Sequence, residues 1–530
     1  MPTLYQAIEV NHCFKGTALS FEGKKISYST FIDNVDIFAS KLYAYGVRKN
    51  QVVTLVSPNV PETIYTFYAL NKIGAIVLVV HPLIPPMVLN EAMESVESKL
   101  VIFPDIKYLD YKNSLKDKDY LLLNIKSDLN LLKSALYPLI YKSKLKNISK
   151  DKYIYRLPLS RESFEINKDD YKPSVYLRSG GTTGNSKTVV LNDKAFNNIA
   201  FQCHKILGFS QKEVEGKKMM AVLPIFHGFG LAMGVHSPLV NRATSALMIS
   251  FSAKKVVKKI KKNELSFLLL IPYMARKLLE RKDFKGTKLK NLTHAFMGGD
   301  KADLKLFSEF NERMEKANSK CRLLEGYGMT ETASVNFVNK LDSYKIGTVG
   351  KPIEGVKARI VDDEGKVLEC GFEGNIEIST NTMMLEYLND SELTKEVIEI
   401  ENNDSWLKTG DIGKIDKDGY LIFIRRKKEM FKIAGINVFP SDINRIALTF
   451  EDVKDCATVF VSNDKHPYVA LFLESETKNK VELAQLVKKE LCSELIKYSV
   501  PEKIIVFILS WLWIADSQKN IISYQLSVSI

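Results

Sequence analysis

The sequence predicts an α/β fold in which parallel sheets are covered by helices. Short apolar runs, such as Val52–Val56, have the length and composition of strands that are buried on both faces. Helical patterns, such as Tyr28–Tyr45, lie between these runs, and this alternation is typical of parallel sheets. The chain has 530 residues, which is too long for one simple core, so two or three lobes are expected.

The predicted elements fall into three parts along the chain. In the first part, strands are predicted at residues 52–56, 75–80, 100–103 and 120–123, and helices at 28–45 and 61–72. The second part repeats this alternation, with strands at residues 219–223, 243–248 and 266–271. In the third part, residues 345–380 carry short strands with turns, which predict a small β-rich subdomain.

A polar break at residues 425–428 precedes a further strand–turn–helix series. We therefore predict a large N-terminal domain of layered α/β subdomains plus the β-rich subdomain at 1–424, and a hinge region at 425–428. A smaller α+β C-terminal domain follows at 429–530. Its tail after about residue 503 is atypical, because it is rich in tryptophan and unlike the rest of the chain.

The formal net charge of +13 fits two kinds of partner. One is nucleic acid or an anionic membrane, and the other is an anionic small molecule bound by a lysine-rich protein. The lysines are spread along the chain, and the densest run, at residues 255–262, has valine and isoleucine at helical spacing. That spacing is typical of an amphipathic helix with a solvated face. We therefore expect a small-molecule partner and no nucleic acid.

The six cysteines lack the close spacing of a metal-binding or redox pair, so we expect reduced, buried thiols in a cytoplasmic protein. They are Cys13, Cys203, Cys321, Cys370, Cys456 and Cys492. Residues 1–14 do not have the pattern of a signal peptide. The longest apolar stretch, residues 504–515, is too short to span a bilayer, so no transmembrane segment is expected.

Residues 176–188, Tyr-Leu-Arg-Ser-Gly-Gly-Thr-Thr-Gly-Asn-Ser-Lys-Thr, predict a phosphate-binding turn between two strands. The glycines allow backbone N–H groups to approach a ligand, the hydroxyl side chains add donors, and Lys187 adds a positive charge. A flexible turn is the alternative interpretation. A Walker-type loop is excluded because it ends in adjacent glycine and lysine, whereas Asn185 and Ser186 separate Gly184 from Lys187 and no helix start follows.

Residues 179–187 resemble the phosphate-binding signature of the adenylate-forming superfamily, which includes acyl-CoA synthetases, firefly luciferase and the adenylation domains of peptide synthetases. One position departs from the signature, since Ser186 replaces its proline, and this change removes no donor. The resemblance implies that Lys187 and the loop bind the phosphates of ATP. The loop residues in that role are Ser179, Gly180, Gly181, Thr182, Thr183 and Gly184.

Residues 324–332, Leu-Glu-Gly-Tyr-Gly-Met-Thr-Glu-Thr, resemble a second motif of the family, Tyr-Gly-x-Thr-Glu. The resemblance implies that Tyr327 stacks on adenine, Thr330 contacts the α-phosphate and Glu331 holds Mg²⁺. The chemistry fits, because Mg²⁺ prefers few carboxylates plus phosphate oxygens. For an isolated Thr-Glu pair, the alternative is a capping pair at a helix start.

Three more segments occur in the family's order. Residues 297–300 resemble the element that lines the adenine pocket, residues 409–411 resemble the Thr-Gly-Asp that binds both ribose hydroxyls, and residues 425–429 resemble the hinge. The resemblance implies that Arg426 contacts ribose or phosphate and that a mobile C-terminal lobe rotates about Glu429. The nucleotide-binding residues implied by these motifs are Gly298, Gly299, Asp300, Gly326, Tyr327, Gly328, Thr330, Asp411 and Arg426.

Residues 223–230, Leu-Pro-Ile-Phe-His-Gly-Phe-Gly, bear on the acid that is activated. Amino-acid-activating relatives carry an aspartate after this phenylalanine, and here the position is His227. A buried ammonium group would then lack an anion, which is costly, so amino acids are disfavoured. The resemblance favours an acyl- or aryl-CoA synthetase with His227 beside the substrate carboxylate. A packed core histidine is the alternative, and a fatty acid is expected before an aryl acid.

The resemblance implies two half-reactions. The acid attacks the α-phosphorus of ATP, and a thiol of coenzyme A, or of a carrier protein's phosphopantetheine, then takes the acyl group after the C-terminal lobe rotates. In the family, a lysine in a C-terminal Leu-Pro-x-Thr-x-x-Gly-Lys motif serves the first step. Lys519 lies near the expected distance from Pro501, but Gln518 replaces the glycine and the Leu-Pro is absent. Three interpretations of the tail remain open. In the first, Lys519 serves as the family's lysine does. In the second, the C-terminal end is degenerate, so that the first half-reaction is slow. In the third, the tail binds a partner.

We therefore predict an AMP-forming acid–thiol ligase that uses ATP, Mg²⁺ and coenzyme A on a small carboxylic acid. One alternative is an adenylating enzyme that loads an acyl carrier protein. The other is a catalytically impaired nucleotide- and acyl-binding protein. The predicted catalytic residues are Lys187, Thr330, Glu331, His227 and Lys519.

Overall fold

The structure is a computed structural model that describes residues 1–115, 117–129, 131–179, 187–299, 304–427, 431–433, 436–438, 440–461, 468–495 and 500–507. Some of the predicted site residues lie outside this part of the chain. They are Gly180, Gly181, Thr182, Thr183, Gly184, Asp300, Glu429 and Lys519.

The strands are, in chain order, β1 (Thr17–Phe21), β2 (Lys24–Ser27), β3 (Val52–Val56), β4 (Ile76–Val80), β5 (Leu100–Pro104), β6 (Asp119–Leu123), β7 (Pro173–Ser179), β8 (Lys187–Asn192), β9 (Lys218–Ala221), β10 (Thr244–Leu247), β11 (Phe267–Leu270), β12 (His294–Met297) and β13 (Leu323–Gly328). The remaining strands are β14 (Val335–Val338), β15 (Lys351–Pro352), β16 (Val356–Val361), β17 (Gly374–Thr380), β18 (Glu386–Tyr387), β19 (Ile398–Glu401), β20 (Asp404–Ile415), β21 (Leu421–Arg426), β22 (Phe431–Ile433), β23 (Ile436–Val438), β24 (Asp455–Val461), β25 (Tyr468–Glu474) and β26 (Lys503–Phe507).

The helices are α1 (Leu4–Glu9), α2 (Tyr28–Tyr45), α3 (Pro61–Ile73), α4 (Pro86–Ser95), α5 (Tyr108–Tyr111), α6 (Ile125–Asp128), α7 (Leu131–Ile140), α8 (Asp193–Phe201), α9 (Cys203–Ile206), α10 (Gln211–Val214), α11 (Ser237–Val240), α12 (Ala253–Lys261), α13 (Pro272–Leu279), α14 (Leu304–Lys316), α15 (Ser391–Val397), α16 (Pro440–Ala447) and α17 (Lys480–Glu494). A π-helical segment, Gly230–His236, precedes α11.

A seven-stranded sheet has the order β18-β8-β7-β4-β3-β5-β6, and its strands β3 to β7 run parallel. Alternate residues of β4 belong to two different core clusters: Val77 and Val79 pack on one face, and Leu78 and Val80 pack on the other. Both faces of the sheet are therefore buried, which explains why its strands are continuous apolar runs. The predicted strands and their parallel arrangement are confirmed.

The helices that cover this sheet begin and end at residues suited to those positions. The hydroxyl of Ser27 accepts a hydrogen bond from the backbone N–H of Thr30 at the start of α2, and Gly46 ends the helix with a φ of 114°. Helix α3 has Pro61 in its first turn and ends at Gly74, where φ is 85°. Every residue of α3 is buried, so this helix lies inside the N-terminal part of the molecule.

A nine-stranded sheet has the order β15-β14-β13-β12-β11-β9-β10-β1-β2. Its central strands β9 to β13, together with β1, run parallel, and antiparallel strands lie at both edges. Helix α12 packs Val256, Val257 and Ile260 against it and turns its lysines outward, which confirms the amphipathic helix that the spacing predicts.

A five-stranded antiparallel sheet follows, in which β16, β17, β20 and β19 are neighbours and β21 pairs with β20. Its strands β16 and β17 lie within residues 345–380, the segment predicted to be β-rich, and the sheet extends beyond that segment to Arg426. Strand β21 continues through Arg426, and the backbone N–H of Lys427 donates to the carbonyl of Gly410, so residues 425–427 belong to this sheet. The proposed hinge at 425–428 therefore begins within ordered sheet structure.

The C-terminal part has its own core. Strands β24, β25 and β26 form one sheet, β22 and β23 pair with each other, and helices α16 and α17 supply apolar side chains to a separate cluster. In the described part of the chain, no helix is both long enough and apolar enough to cross a membrane.

The prediction that the cysteines are buried is wrong for three of them. Cys203, Cys321 and Cys456 are buried, whereas the other three are exposed, namely Cys13, Cys370 and Cys492. Cys13 and Cys370 lie in surface turns. Cys492 follows the buried Leu491 on α17, and this places its side chain on the solvent face of the helix.

Candidate functional site

Three of the predicted site segments follow the carboxyl ends of strands in the nine-stranded sheet. His227 follows β9, Gly298 follows β12 and Tyr327 lies near the end of β13. Parallel strands place their carboxyl ends at the same edge of a sheet, so these segments meet there. A side-chain Cβ at Gly298 would lie 3.5 Å from the carbonyl oxygen of Gly326 and 3.6 Å from the ring of Phe229. The three loops are therefore in direct contact.

Glu331 is held between two sheets. It lies in a single 3-10 turn, Thr330–Thr332, and is only 8% exposed. Its backbone carbonyl accepts a 2.7 Å hydrogen bond from the N–H of Met384, and its carboxylate accepts a 2.8 Å bond from the hydroxyl of Tyr387. These contacts fix the carboxylate against the segment that carries β18. The residue that precedes the turn is Met329, and no side chain caps the start of Thr330–Thr332, so the capping-pair interpretation does not account for the motif.

Tyr387 connects Glu331 to the predicted phosphate loop. Strand β18 pairs with β8, where Tyr387 lies opposite Val189. The ammonium group of Lys187 lies 4.9 Å from the centre of the Tyr387 ring. Burial and, to a smaller extent, the charge of Glu331 raise the pKa of Tyr387. Its hydroxyl therefore stays protonated and acts as the hydrogen-bond donor to the carboxylate. Lys187 thus contacts the ring of this tyrosine, and Glu331 contacts its hydroxyl.

The strands on either side of the phosphate loop are in place. Ser179 and Lys187 form the last residue pair of the antiparallel strands β7 and β8. The loop residues between them lie outside the described residues, and these include five of the positions predicted to contact phosphate, namely Gly180, Gly181, Thr182, Thr183 and Gly184. The predicted turn between two strands is confirmed at both of its ends.

A second cluster joins the nine-stranded sheet to the five-stranded sheet. The hydroxyl of Tyr327 on β13 donates a 2.5 Å hydrogen bond to Oδ2 of Asp411 on β20. Asp411 is only 3% exposed, and Nε of Arg426 on β21 lies 3.5 Å from its Oδ1. The ring of Phe423 on β21 stacks on that of Tyr327, with centroids 6.0 Å apart. The structure therefore brings together Tyr327, Asp411 and Arg426, three residues that the resemblance assigns to one nucleotide.

Two positions at the turn that follows Glu331 can be occupied only by glycine: Gly328, which precedes the turn, and Gly228, which packs against it. A Cβ at Gly328 would lie 1.8 Å from the carbonyl oxygen of Ser334. A Cβ at Gly228 would lie 1.7 Å from the carbonyl oxygen of Ala333, which itself has a φ of 60°. The N–H of Ser334 donates a 2.6 Å bond to the carbonyl of Thr332, closing a tight and strained three-residue turn around Ala333. The turn thus packs the backbone after His227 against the backbone after Glu331.

The side chain of His227 is exposed to solvent, although protein atoms surround its ring closely enough to desolvate it. Desolvation, with a smaller contribution from His81, lowers the pKa of His227 to about 4, so the ring is neutral near pH 7. Its ring centre lies 4.1 Å from that of Phe226. A packed core histidine is therefore not what the structure shows at this position.

His236 instead has the environment of a core residue. Its ring nitrogens lie 2.9 Å from the hydroxyl of Tyr68 and 2.8 Å from Oδ1 of Asn197, and burial lowers its pKa to about 3. It lies at the end of the π-helical segment that begins at Gly230. Irregular helical turns of this kind are frequent at functional sites, and this one begins three residues after His227.

Sequence reasoning missed two residues of this region. Tyr387 carries no motif of its own and is found only through its contacts with Glu331 and Lys187. His81 directly follows β4, and its ring lies 4.7 Å from that of Phe226. The signal for His81 was available, because polar residues directly after parallel strands lie at the edge of the sheet where ligands bind.

The fold and this arrangement define an adenylate-forming class of enzyme, with a large α/β part and a smaller C-terminal part. The chain belongs to the AMP-binding enzyme family, whose profile matches residues 9–388. The predicted family, fold class and enzyme class, an AMP-forming acid–thiol ligase, are thereby confirmed.

Relatives and solved structures agree with this assignment. The chain is 25% identical over 496 residues to the 2-succinylbenzoate–CoA ligase of Listeria monocytogenes, covering 93% of this chain and 92% of that one. It is 26% identical over 454 residues to the long-chain-fatty-acid–CoA ligase of Bacillus subtilis, covering 83% of this chain and 79% of that one. Its fold is similar to ATP-bound MatB from Rhodopseudomonas palustris, with a TM-score of 0.79, 21% identity and coverage of 96% and 95%. It is also similar to o-succinylbenzoate coenzyme A synthetase (MenE) from Bacillus subtilis in complex with ATP and magnesium, with a TM-score of 0.77, 20% identity and 96% coverage of both chains.

Proposed function

We propose that this protein activates a carboxylic acid with ATP and transfers the acyl group to coenzyme A, with a fatty acid as the first expected substrate and an aryl acid as the second. One observation supports the proposal above the others. The cluster of Tyr327, Asp411 and Arg426 and the cluster of Lys187, Tyr387 and Glu331 are joined by the short segment between Tyr327 and Glu331. This proximity supports a nucleoside site and a phosphate site that lie one short turn apart.

The first cluster suits the sugar and base of ATP. Asp411 is a buried carboxylate that can accept hydrogen bonds from two adjacent ribose hydroxyls. Tyr327 holds it by its hydroxyl, and Gly298 packs next to the carbonyl of Gly326, one residue before Tyr327. We assign Gly298 and Gly299 to the wall of the adenine pocket on this basis. We also assign to Arg426 a contact with ribose or phosphate, because its Nε lies 3.5 Å from Oδ1 of Asp411.

The second cluster suits the phosphates and a magnesium ion. The residues fit Mg²⁺, because one nearly buried carboxylate, that of Glu331, is oriented by the Tyr387 hydroxyl, and Mg²⁺ otherwise prefers phosphate oxygens and water. Bound there, the ion would neutralise charge on the phosphates. Lys187 supplies a further positive charge on the same side, and Thr330 offers a hydroxyl next to Glu331.

The first half-reaction forms one bond and breaks one. A carboxylate oxygen of the acid attacks the α-phosphorus, the bond from that phosphorus to the bridging oxygen of the β-phosphate breaks, and pyrophosphate leaves with its charge. Catalysis of this kind depends on positioning and on charge stabilisation, which we assign to Lys187, Thr330 and Glu331. In the second half-reaction, a thiolate attacks the acyl carbon and AMP leaves.

The His227 region supports an acid without an ammonium group. His227 is neutral near pH 7 and provides no anion to pair a buried amine. The segment that follows it, Leu231 to Met233, is buried and apolar, as an aliphatic or aromatic tail requires. We therefore propose that His227 lies beside the substrate carboxylate and that this segment contacts the tail.

One observation supports our proposal that the reaction takes place in the cytoplasm. Cys13, Cys370 and Cys492 are exposed free thiols, which suits a reducing compartment.

We also propose the domain organisation of the family for this chain, with a C-terminal domain after residue 428 that rotates between the two half-reactions.

The experiment that tests the function is pyrophosphate exchange into ATP across a panel of fatty, aryl and amino acids, followed by thioester formation on coenzyme A. The proposal requires acid-dependent exchange, strongest with a fatty or aryl acid, and thioester formed on coenzyme A. Exchange that yields thioester only on a carrier protein would favour the carrier-loading alternative. Binding of Mg-ATP without any exchange would favour the catalytically impaired alternative, which the degenerate C-terminal motif motivates.

The role of Lys519 needs its own comparison, because it lies outside the described residues. If Lys519 replaces the family's lysine, Lys519→Ala slows acyl-AMP formation strongly while thioester formation from supplied acyl-AMP persists. Equal rates of acyl-AMP formation in the two proteins would dismiss Lys519 as the catalytic lysine. Lys503→Ala, an exposed lysine at the start of β26, is the matched control.

A further inference from the structure

Helix α7 presents an apolar stripe to solvent. Leu136 is 44% exposed, Leu139 71% and Ile140 65%. The same helix turns Tyr137 inward, where it is 3% exposed and its hydroxyl donates a 2.5 Å hydrogen bond to Oδ1 of Asp105. The helix is therefore anchored in one orientation, and its aliphatic side chains protrude from the surface instead of lining a groove.

Lysines accompany this stripe. Residues 131–150 contain five lysines and no acidic residue. Lys142, Lys144 and Lys146 lie in the turns directly after the helix and are exposed. Lys133 lies three residues before Leu136, on the same side of the helix. An apolar stripe bordered by lysines is the pattern of a segment that lies in a lipid–water interface.

Helix α12 extends the basic surface. Residues 253–262 contain six lysines and no acidic residue, and the helix buries only its apolar side. Glu22 connects the two helices, because it forms ion pairs with Lys133 on α7 and with Lys255 on α12, the latter at 3.8 Å. Lysines that are distant in sequence are thus gathered on one side of the molecule. We call residues 133–146 together with α12 the α7–α12 surface.

We propose that the α7–α12 surface binds membranes that contain anionic lipids, with the aliphatic side chains of α7 entering the headgroup region and the lysines contacting lipid phosphates. Charge complementarity favours an anionic partner, since each lysine near such a membrane adds to its attraction. The protruding leucine and isoleucine side chains favour lipid over nucleic acid, whose backbone offers no apolar surface to bury them. This inference goes beyond the proposed ligase activity and does not depend on it.

The test is sedimentation of the full chain with vesicles of phosphatidylcholine alone and of phosphatidylcholine mixed with an equal amount of phosphatidylglycerol. The wild-type protein is expected to bind the anionic vesicles and not the neutral ones. Binding should be lost in about 1 M salt, where the Debye length is only about 3 Å.

Two variants examine the two parts of the surface. The charge variant combines Lys142→Glu, Lys144→Glu and Lys146→Glu, and the apolar variant combines Leu136→Ser, Leu139→Ser and Ile140→Ser. Each is expected to weaken binding to anionic vesicles by more than about tenfold. A control with the same change of net charge combines exposed lysines of α17 and should bind like wild type: Lys480→Glu, Lys488→Glu and Lys489→Glu.

The proposal is overturned if the wild type fails to bind anionic vesicles, or if the charge variant and the α17 control bind equally. A wild-type protein that binds nucleic acid or an acidic protein through α7 and α12, but not vesicles, would overturn it as well. Acid-dependent pyrophosphate exchange is measured for every variant. Because these residues lie outside the proposed site, unchanged exchange shows that the variants are folded, and it separates this inference from the proposed function.

Discussion

The hydroxyl of Tyr387 donates a 2.8 Å hydrogen bond to Oε1 of Glu331. This contact ties the nine-stranded sheet to the seven-stranded sheet, because Tyr387 lies on β18, which pairs with β8. The Lys187 ammonium group lies over the ring of the same tyrosine. Tyr387 is thus the physical connection between the proposed magnesium ligand and the proposed phosphate-binding lysine, although neither sequence motif contains it.

Tyr387→Phe should weaken the use of magnesium without unfolding the protein. The phenylalanine keeps the ring beneath Lys187 but removes the donor that orients the Glu331 carboxylate. A hydrogen bond to a charged group contributes about 1.5–3 kcal/mol, so roughly tenfold more Mg²⁺ should be needed for half-maximal pyrophosphate exchange. Tyr176→Phe on strand β7 is the matched control, because both tyrosines are 6% exposed. An unchanged Mg²⁺ dependence in Tyr387→Phe would contradict the role given to Tyr387.

The Tyr327–Asp411 contact predicts an effect on ATP affinity. Tyr327→Phe removes the 2.5 Å hydrogen bond to Asp411, and Asp411→Asn also removes the charge. We expect KM for ATP to rise by about fivefold to tenfold in the first variant and further in the second, while kcat falls less than KM rises. Initial exchange rates over a range of ATP concentrations measure both quantities. Tyr420→Phe, beside β21, is the control, and Asp411→Asn with a wild-type KM for ATP would remove Asp411 from the nucleotide site.

The close contact between Gly228 and Ala333 predicts that adding one methyl group at Gly228 strongly reduces activity. Gly228→Ala would place its Cβ 1.7 Å from the carbonyl oxygen of Ala333, so the backbone after His227 must move away from the turn that carries Glu331. We expect acid-dependent exchange to fall by about a hundredfold or more, because small misplacements of reacting groups are costly. In Gly234→Ala, the nearest atoms are 3.7 Å from the new Cβ, so near-normal exchange is expected. Similar activity of the two variants would show that the Gly228–Ala333 contact has no part in catalysis.

His236 predicts a pH-dependent difference in stability. Its pKa in the folded protein is lowered to about 3 by burial, whereas an unfolded chain has a histidine pKa of about 6.5. As the pH falls below about 6.5, the unfolded state takes up a proton first, and the stability that the neutral ring contributes is progressively lost. The loss of thermal stability in His236→Gln, measured against wild type, should therefore be largest near pH 7 and shrink towards about pH 5.

His12 is the control, because its pKa is shifted in the opposite direction from that of His236. Its side-chain hydrogen bond with the Asp33 carboxylate raises its pKa, so any stability it contributes is present at low pH and lost as the pH rises through the folded-state value. The melting midpoints of His236→Gln and His12→Gln at several pH values test both directions. A difference between wild type and His236→Gln that does not change with pH would contradict the buried, neutral state of His236.

Much of the fold follows from local sequence patterns. The apolar runs that became β3, β4 and β5 are continuous because both faces of their sheet are buried, and the lysine-rich run of α12 alternates with valine and isoleucine because one face of the helix is buried. These patterns are readable because they have a fixed period.

The long-range parts of the site are not readable in this way. No spacing indicates that Tyr387 contacts Glu331, or that the backbone of Ala333 packs on Gly228, because these contacts depend on how separate sheets are placed together. The family motifs indicated Tyr327 and Asp411 separately, but not that they bond to each other. Likewise, the scattered lysines gave no sign that α7 and α12 lie on one surface, joined at Glu22.

Exchange of labelled pyrophosphate into ATP tests the central claim most directly, because it reports reversible acyl-AMP formation without a thiol. The account predicts exchange that requires both Mg²⁺ and a carboxylic acid, that is fastest with a fatty or aryl acid, and that is nearly abolished in Glu331→Ala. If the protein binds Mg-ATP normally but none of the acids supports exchange, the clusters around Glu331 and Asp411 do not form a working adenylation site.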